Sequence, residues 1–238
     1  MKKKEKLVIG VLGGMGTYAT IHLFEEYAKV FSAEKEWERP RIIIDNRSTM
    51  PSRVRAFLFD EKKDQLIEEM EESISNLIKS GSTKIILACN TSHLFLPQIM
   101  EKNKNITKDK IENIIDNCIK KIINDNVKEI YLLASEGTIQ SKVYQNKLEK
   151  AGIICKTPLE EEYTLLRECI EAVKQNKYSK KIEKIFEHLI NKYPYCILGC
   201  TELPILYKNY KYKVNKDIYI YDPLLITLKL LKEEYDNV

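Results

Sequence analysis

The chain has 238 residues, 44% of them hydrophobic and 31% charged, so it can bury a sizeable core and disorder is not the starting expectation. Its 39 Lys and Arg against 35 Asp and Glu leave a formal charge of +4, and the pI near 8.5 falls short of the strongly basic signature of a nucleic-acid binder. No apolar run approaches the roughly 18–20 residues a membrane-spanning helix needs, and the basic start at residues 1–6 leads into an apolar stretch, Leu7 to Leu12, too short for a signal peptide. The expectation is a cytoplasmic protein with neither a nucleic-acid nor a membrane partner.

In chain order, Leu7 to Leu12 is apolar on both faces and reads as a buried parallel strand. A glycine-rich turn, Gly10-Val11-Leu12-Gly13-Gly14-Met15-Gly16, leads into a helical stripe of Leu23, Phe24, Tyr27, Ala28 and Phe31. Arg41 to Asp45 is a second strand, followed by a polar loop through Arg47, Arg53 and Arg55. Leu66, Ile67, Met70, Ile74, Leu77 and Ile78 line one face of the next helix, and Lys84 to Ala88 is a third strand. The order β-α-β-α-β predicts a parallel sheet with helices on its faces.

The pattern then restarts. Ile111, Ile114, Ile115, Cys118, Ile119, Ile122 and Ile123 form a helical stripe, and Glu129 to Ala134 is a strand that turns through Ser135-Glu136-Gly137-Thr138. Ile153 to Cys155 is a strand, helices follow near 160–175 and 180–192, and Cys196 to Leu198 is another strand. Lys208 to Lys216 reads as a surface connection, Asp217 to Ile220 as a last strand and Leu224 to Leu231 as a last helix. The division this predicts is a first α/β domain over 1–104 plus 215–238 and a second over 105–214.

Six cysteines, at 89, 118, 155, 169, 196 and 200, are irregularly spaced, and with three histidines (His22, His93, His188) they form no zinc pattern. His22 and His188 read as structural. A long-range likeness matters more. Ile85-Ile86-Leu87-Ala88-Cys89-Asn90-Thr91 and Cys196-Ile197-Leu198-Gly199-Cys200-Thr201-Glu202 share an apolar strand, a small residue, a cysteine and a nearby threonine. Ligands of parallel sheets bind beyond the carboxyl ends of the strands, which is where both cysteines and both glycine turns fall. A single cysteine at a strand end is more often a small core residue than a catalyst. A matched pair fits a two-sided reaction such as racemisation, in which one group removes a proton from one face of a carbon and the other delivers one to the opposite face.

The remaining motifs each carry a plainer alternative. Gly14-x-Gly16-x-x-Ala19 matches the dinucleotide fingerprint, but Asp45 lies later than the acidic residue that fingerprint expects, and a tight turn explains the glycines as well. Arg47, Arg53 and Arg55 suit carboxylate recognition, since guanidinium binds carboxylate bidentately, or they form surface ion pairs. His93, four residues after Cys89, falls in the first turn of the next helix, where it either tunes the site or caps the turn.

On these residues the chain resembles the aspartate/glutamate racemases, cofactor-independent enzymes with two cysteines. The matching segments are Ile9 to Gly16, Cys89-Asn90-Thr91-Ser92-His93 and Gly199-Cys200-Thr201-Glu202, with weaker matches at Leu132 to Thr138, Thr157-Pro158 and Asp222-Pro223. The resemblance implies two similar Rossmann-like α/β domains related by a pseudo-twofold, with a small-molecule amino-acid substrate between them. It implies no cofactor and no metal, and a homodimer. Cys89 and Cys200 are implied as the catalytic acid/base pair. Met15, Gly16, Thr17, Asn90, Thr91, Thr138 and Thr201 are implied to hold the α-carboxylate and amino group, and Arg53 the side-chain carboxylate. Arg47, His93, Arg167 and Glu202 are supporting candidates. Where aspartate-acting members carry a lysine for the distal carboxylate, this chain has Thr164, with Arg167 one turn later. Glu202 stands where glutamate racemases have histidine. The expected activity is racemisation of an acidic amino acid, aspartate before glutamate. The alternatives are a same-fold racemase or isomerase for a neutral amino acid, a hydantoin or maleate, and a non-catalytic amino-acid-binding protein. A dinucleotide-dependent oxidoreductase ranks last, because it leaves the matched cysteines unexplained.

Overall fold

A computed structural model describes residues 7–237; the basic start at 1–6 lies outside the described residues. The chain divides into two compact units, one running to Ile114 and resuming at Leu224, the other spanning Ile115–Pro223. No helix among the described residues is long and apolar enough to cross a membrane.

The first unit is built from β1 (Val8–Gly13), α1 (Thr17–Val30), β2 (Arg41–Asn46), α2 (Arg53–Phe59), α3 (Lys63–Lys79), β3 (Lys84–Leu87), α4 (Leu96–Lys102) and β4 (Ile111–Glu112), with the last helix of the chain added. All strand pairs are parallel, in the order β2-β1-β3-β4. Ile9, Val11 and Leu12 of β1 and Ile85, Ile86 and Leu87 of β3 are wholly buried, as a strand covered on both faces requires. The apolar stripe of α3, Leu66, Ile67, Met70, Ile74 and Leu77, packs with Leu12, Met15, Ile85 and Leu87. Each such fully buried side chain contributes roughly 1.5–3 kcal/mol.

The second unit repeats that topology. It holds α5 (Ile114–Asn124), β5 (Glu129–Ala134), α6 (Glu136–Gln140), α7 (Gln145–Lys150), β6 (Ile154–Lys156), α8 (Tyr163–Lys174), α9 (Lys180–Ile190), β7 (Tyr195–Gly199), α10 (Leu203–Tyr210) and β8 (Tyr219–Tyr221), and α11 (Pro223–Asp236) follows. Its parallel order is β6-β5-β7-β8. In each unit the chain leaves the first strand for a neighbour on one side and returns on the other. The crevices between the carboxyl ends of β1 and β3, and of β5 and β7, are therefore the topological switch points where open parallel sheets bind ligands.

Two boundaries differ from the sequence reading. Ile111 and Glu112 form β4 beside β3, so the first unit extends past residue 104 to Ile114. Ile111 fits the helical period of the residues after it, and a two-residue strand has no period of its own to oppose that. The last strand, β8, pairs with β7 rather than returning to the first sheet, so the second unit runs to Pro223 instead of 214 and only α11 returns. The loop after β2 also shortens. Arg53 and Arg55 lie in the first turn of α2, whose N-cap Ser52 accepts a hydrogen bond from the Arg55 N–H at 3.3 Å.

One buried carboxylate ties α8 to α9. Glu162, 6% exposed, accepts from the Leu159 N–H at 3.1 Å, meets His188 Nε2 at 2.9 Å and takes a bond from Lys192. Burial alone would raise its carboxyl, but Lys192, the Leu159 N–H and His188 outweigh that and hold it below the ordinary value of 4.5. A lowered carboxylate contributes stability that is present above the unfolded value and lost as pH falls through the folded one. Glu162→Gln is expected to cost about 1–3 kcal/mol at pH 7. The gap from the parent should narrow below pH 4, as urea titrations at the two pH values would read.

Candidate active site

In the first unit three segments meet at the carboxyl edge of the sheet: the glycine turn after β1, the polar loop after β2 and Cys89 after β3. The register places Leu12 beside Leu87, and Gly13 beside Asn46, so the three segments leave the sheet at one level. Gly14 has φ 77°, and a Cβ there would lie 2.3 Å from the Arg47 carbonyl carbon, so this position admits only glycine without a backbone shift. Thr20 fastens the turn. Its hydroxyl accepts from the Gly14 N–H at 3.2 Å and donates to the Gly16 carbonyl at 3.2 Å.

Met15 has its side chain in the core and offers the turn only its main chain, whose carbonyl accepts from Arg53 Nη2 at 2.8 Å. Gly16 caps α1, and Thr17, exposed, accepts from Asn46 Nδ2 at 3.4 Å. Unspent N–H groups at such a helix start favour a carboxylate.

Cys89 is half-buried. The residues after it form a short 3-10 turn, Thr91–Phe95, rather than the first turn of an α-helix. Asn90, Thr91, Ser92 and His93 are all buried. The Cys89 carbonyl accepts from Ser92 Oγ at 2.6 Å and lies 3.0 Å from His93 Nδ1, which must carry its proton for that contact to be a hydrogen bond. His93 thus grips the main chain of Cys89.

In the second unit Ser135 precedes α6, and its hydroxyl lies 3.1 Å from that of Thr138, which is wholly buried. Cys200 follows β7 and is half-buried. Gly199 precedes it because an added Cβ would stand 2.9 Å from Ala134 Cβ on the neighbouring strand. The Cys200 thiol donates to Glu202 Oε2 at 3.0 Å, and the Thr201 hydroxyl reaches the same oxygen at 3.4 Å. Thr201 and Glu202 are 4% and 2% exposed, and Glu202 Oε1 is buried without a hydrogen-bond partner.

The other four cysteines are set apart by their surroundings. Burial pushes the thiols of Cys155 and Cys169 up to about 12, and those of Cys118 and Cys196 well above the ordinary range. A thiol so raised supplies almost no thiolate near neutral pH. Among the described residues no cluster of His, Cys, Asp and Glu is arranged to hold a metal ion.

The candidate cations sort by partner. Arg47 is spent on α3, with Nε 3.2 Å from Glu69, Nη2 2.7 Å from Glu72 and Nη1 donating to Ser73 Oγ at 3.3 Å. Arg55 pairs with Glu61, and Arg167 with Glu136 at the start of α6. Arg53 differs. It donates to the carbonyls of Pro51 and Met15, at 2.9 and 2.8 Å, and its buried Nε has no acceptor. Its charge therefore meets no carboxylate among the described residues. The periodicity of α8 gave no sign that Lys174 matters. Burial lowers its ammonium, but the charge of Glu202, the bond to Glu171 and the charge of Cys200 outweigh that and raise it above the ordinary lysine value.

Residues 12–231 match the family described as Asp/Glu/Hydantoin racemase. The chain belongs to that family. Among its relatives, the broad specificity amino-acid racemase RacX of Bacillus subtilis (strain 168) is 26% identical, over 82% of this chain and 86% of that one. The glutamate racemase of Aquifex pyrophilus is 30% identical over 67% of this chain and 61% of its own length. Among solved structures, Picrophilus torridus aspartate racemase superposes with a TM-score of 0.80 at 24% identity, covering 97% and 98% of the two chains. The glutamate racemase of Campylobacter jejuni subsp. jejuni gives 0.68 at 18% identity, over 96% and 86%. Both share the architecture of two α/β units seen here. The relatives are racemases, a class of isomerase, which agrees with the resemblance carried by the cysteine and glycine motifs.

Proposed function

We propose that this racemase-family chain interconverts the L and D forms of an acidic amino acid, aspartate first and glutamate next, by a pyridoxal-independent 1,1-proton transfer between two thiols. One observation carries the reading. Cys89 and Cys200 occupy equivalent strand ends at the switch points of two equivalent sheets, whereas Cys118, Cys169 and Cys196 are buried and Cys155, half-buried like the pair, lies within β6 with its thiol raised by desolvation. In this reading one thiolate removes the α-proton and the opposite thiol protonates the other face.

The α-proton is weakly acidic, and its removal loads negative charge onto the α-carboxylate. Donors aimed at that charge lower the barrier. The N–H groups of the Met15–Thr17 turn, with Asn90, Thr91, Thr138 and Thr201, are the candidates for that role. Arg53, whose guanidinium meets no carboxylate among the described residues, is the candidate for the substrate's distal carboxylate.

A broader substrate range is the second reading. Thr164 stands at the expected lysine position, Arg167 is engaged with Glu136, and the Bacillus subtilis relative is described as broad in specificity. Incubating aspartate, glutamate and a panel of neutral amino acids in deuterated water, with α-deuteration and enantiomer ratio measured, tests both. Exchange on the acidic pair alone supports the first reading, exchange across the panel the second. Exchange on none overturns the assignment.

A further inference from the structure

We propose that Glu202 is a positioning residue that holds the proton of Cys200, so that the two thiols are inequivalent and Cys200 starts as the proton donor. This deepens the racemase reading and rests on it for its catalytic meaning. The geometry points to it directly. The Cys200 thiol donates to Glu202 Oε2 at 3.0 Å, Thr201 Oγ1 reaches the same oxygen at 3.4 Å, and the carboxylate is 2% exposed with Oε1 unpartnered. Cys89 has a different second neighbour, since His93 contacts its carbonyl rather than presenting a carboxylate to the thiol.

A thiolate on Cys200 would stand beside an ionised carboxylate in a buried place, where like charges repel strongly. Between turnovers the hydrogen-bonded pair therefore shares one proton between sulfur and oxygen. With the proton on sulfur, Cys200 donates it to the α-carbon as the Cys89 thiolate takes the α-proton from the other face, and a proton from water then returns to the Cys200–Glu202 pair. For the opposite direction the S–H bond breaks and that proton passes to Glu202 Oε2 as O–H. The thiolate so formed takes the α-proton, C–H breaking as S–H forms, the Cys89 thiol delivers its proton to the other face, and the proton on Glu202 is released to water. The charged side chain of another element that feels the charge of the pair is Lys174 of α8. Its ammonium responds to both Glu202 and Cys200 and is itself hydrogen-bonded to Glu171 at 2.9 Å.

The test follows thiol chemistry directly, without requiring turnover. Alkylation of Cys200 and Cys89 by iodoacetamide, read by peptide mass spectrometry from pH 5 to 10, gives each thiol its own ionisation midpoint. In the parent chain Cys200 is expected to ionise at higher pH than Cys89. In Glu202→Gln the midpoint of Cys200 should fall, raising its alkylation at pH 7 at least fivefold, while that of Cys89 stays put. The pH profile of kcat should shift with it while KM changes little. An unchanged Cys200 profile in E202Q overturns the proposal, as does a parent in which Cys200 ionises at or below the midpoint of Cys89. That second comparison needs no variant and stands if E202Q fails to fold. Deuterium exchange by the parent on the substrate panel judges the racemase reading separately. With no exchange on any substrate that reading fails, whereas alkylation still decides whether Glu202 holds the thiol proton.

Discussion

Cys89→Ala and Cys200→Ala are each expected to lower aspartate racemisation by roughly 10²–10⁴-fold, the span that loss of a positioned acid or base produces. The fold should survive both changes. Each thiol is half-buried at a strand end, each unit keeps its own sheet, and alanine removes one atom without adding bulk. The two variants should also differ from one another. With one thiol gone, the other can still draw the α-proton from its own face, so each variant should retain slow deuterium uptake from one enantiomer but not its conversion to the other. Cys118→Ala and Cys196→Ala form the control, because burial holds those thiols protonated. They should affect stability more than rate. Parent-like racemisation in both C89A and C200A would rule out the two-thiol scheme.

Much of this was legible in the sequence because the relevant signals were local. A strand apolar on both faces, such as Val8–Gly13, can belong only to a covered sheet, and two such strands ending in small residue, cysteine and threonine mark equivalent edges. What the sequence concealed was short or distant. A two-residue strand at Ile111–Glu112 has no period, and β8 reveals its sheet only through pairing with β7. Among the three loop arginines, residue type could not rank one above another. That ranking came from Glu69 and Glu72, more than twenty residues downstream, which take up Arg47. The Thr20 hydroxyl that staples the glycine turn could have been suspected from its place four residues after Gly16, the spacing that returns a side chain to the preceding turn.

Arg53→Leu is expected to reduce kcat/KM for aspartate by roughly 10²–10³-fold, equivalent to about 2.7–4 kcal/mol at 1.36 kcal/mol per decade, in the range seen when one partner of a buried charge pair is removed. Two carbonyls hold the guanidinium in place without neutralising it, and its Nε is buried with no acceptor, an arrangement that costs free energy until an anion arrives. Nor does its position in the first turn of α2 favour it, since a helix start prefers negative charge. A structural role would be better served by a paired arginine like Arg47, which links its loop to α3 through two carboxylates. Arg53→Lys keeps the charge but loses the planar fork, and should recover part of the aspartate rate. The deciding comparison is with a neutral amino acid. If Arg53 recognises the distal carboxylate, exchange on a neutral substrate should fall less than exchange on aspartate in R53L, because both substrates share the loss of the bond to the Met15 carbonyl but only aspartate loses a partner for its distal carboxylate. An equal fall on acidic and neutral substrates would mean that Arg53 serves only to join Met15 to Pro51. A fall in melting temperature matching the fall in rate would point the same way.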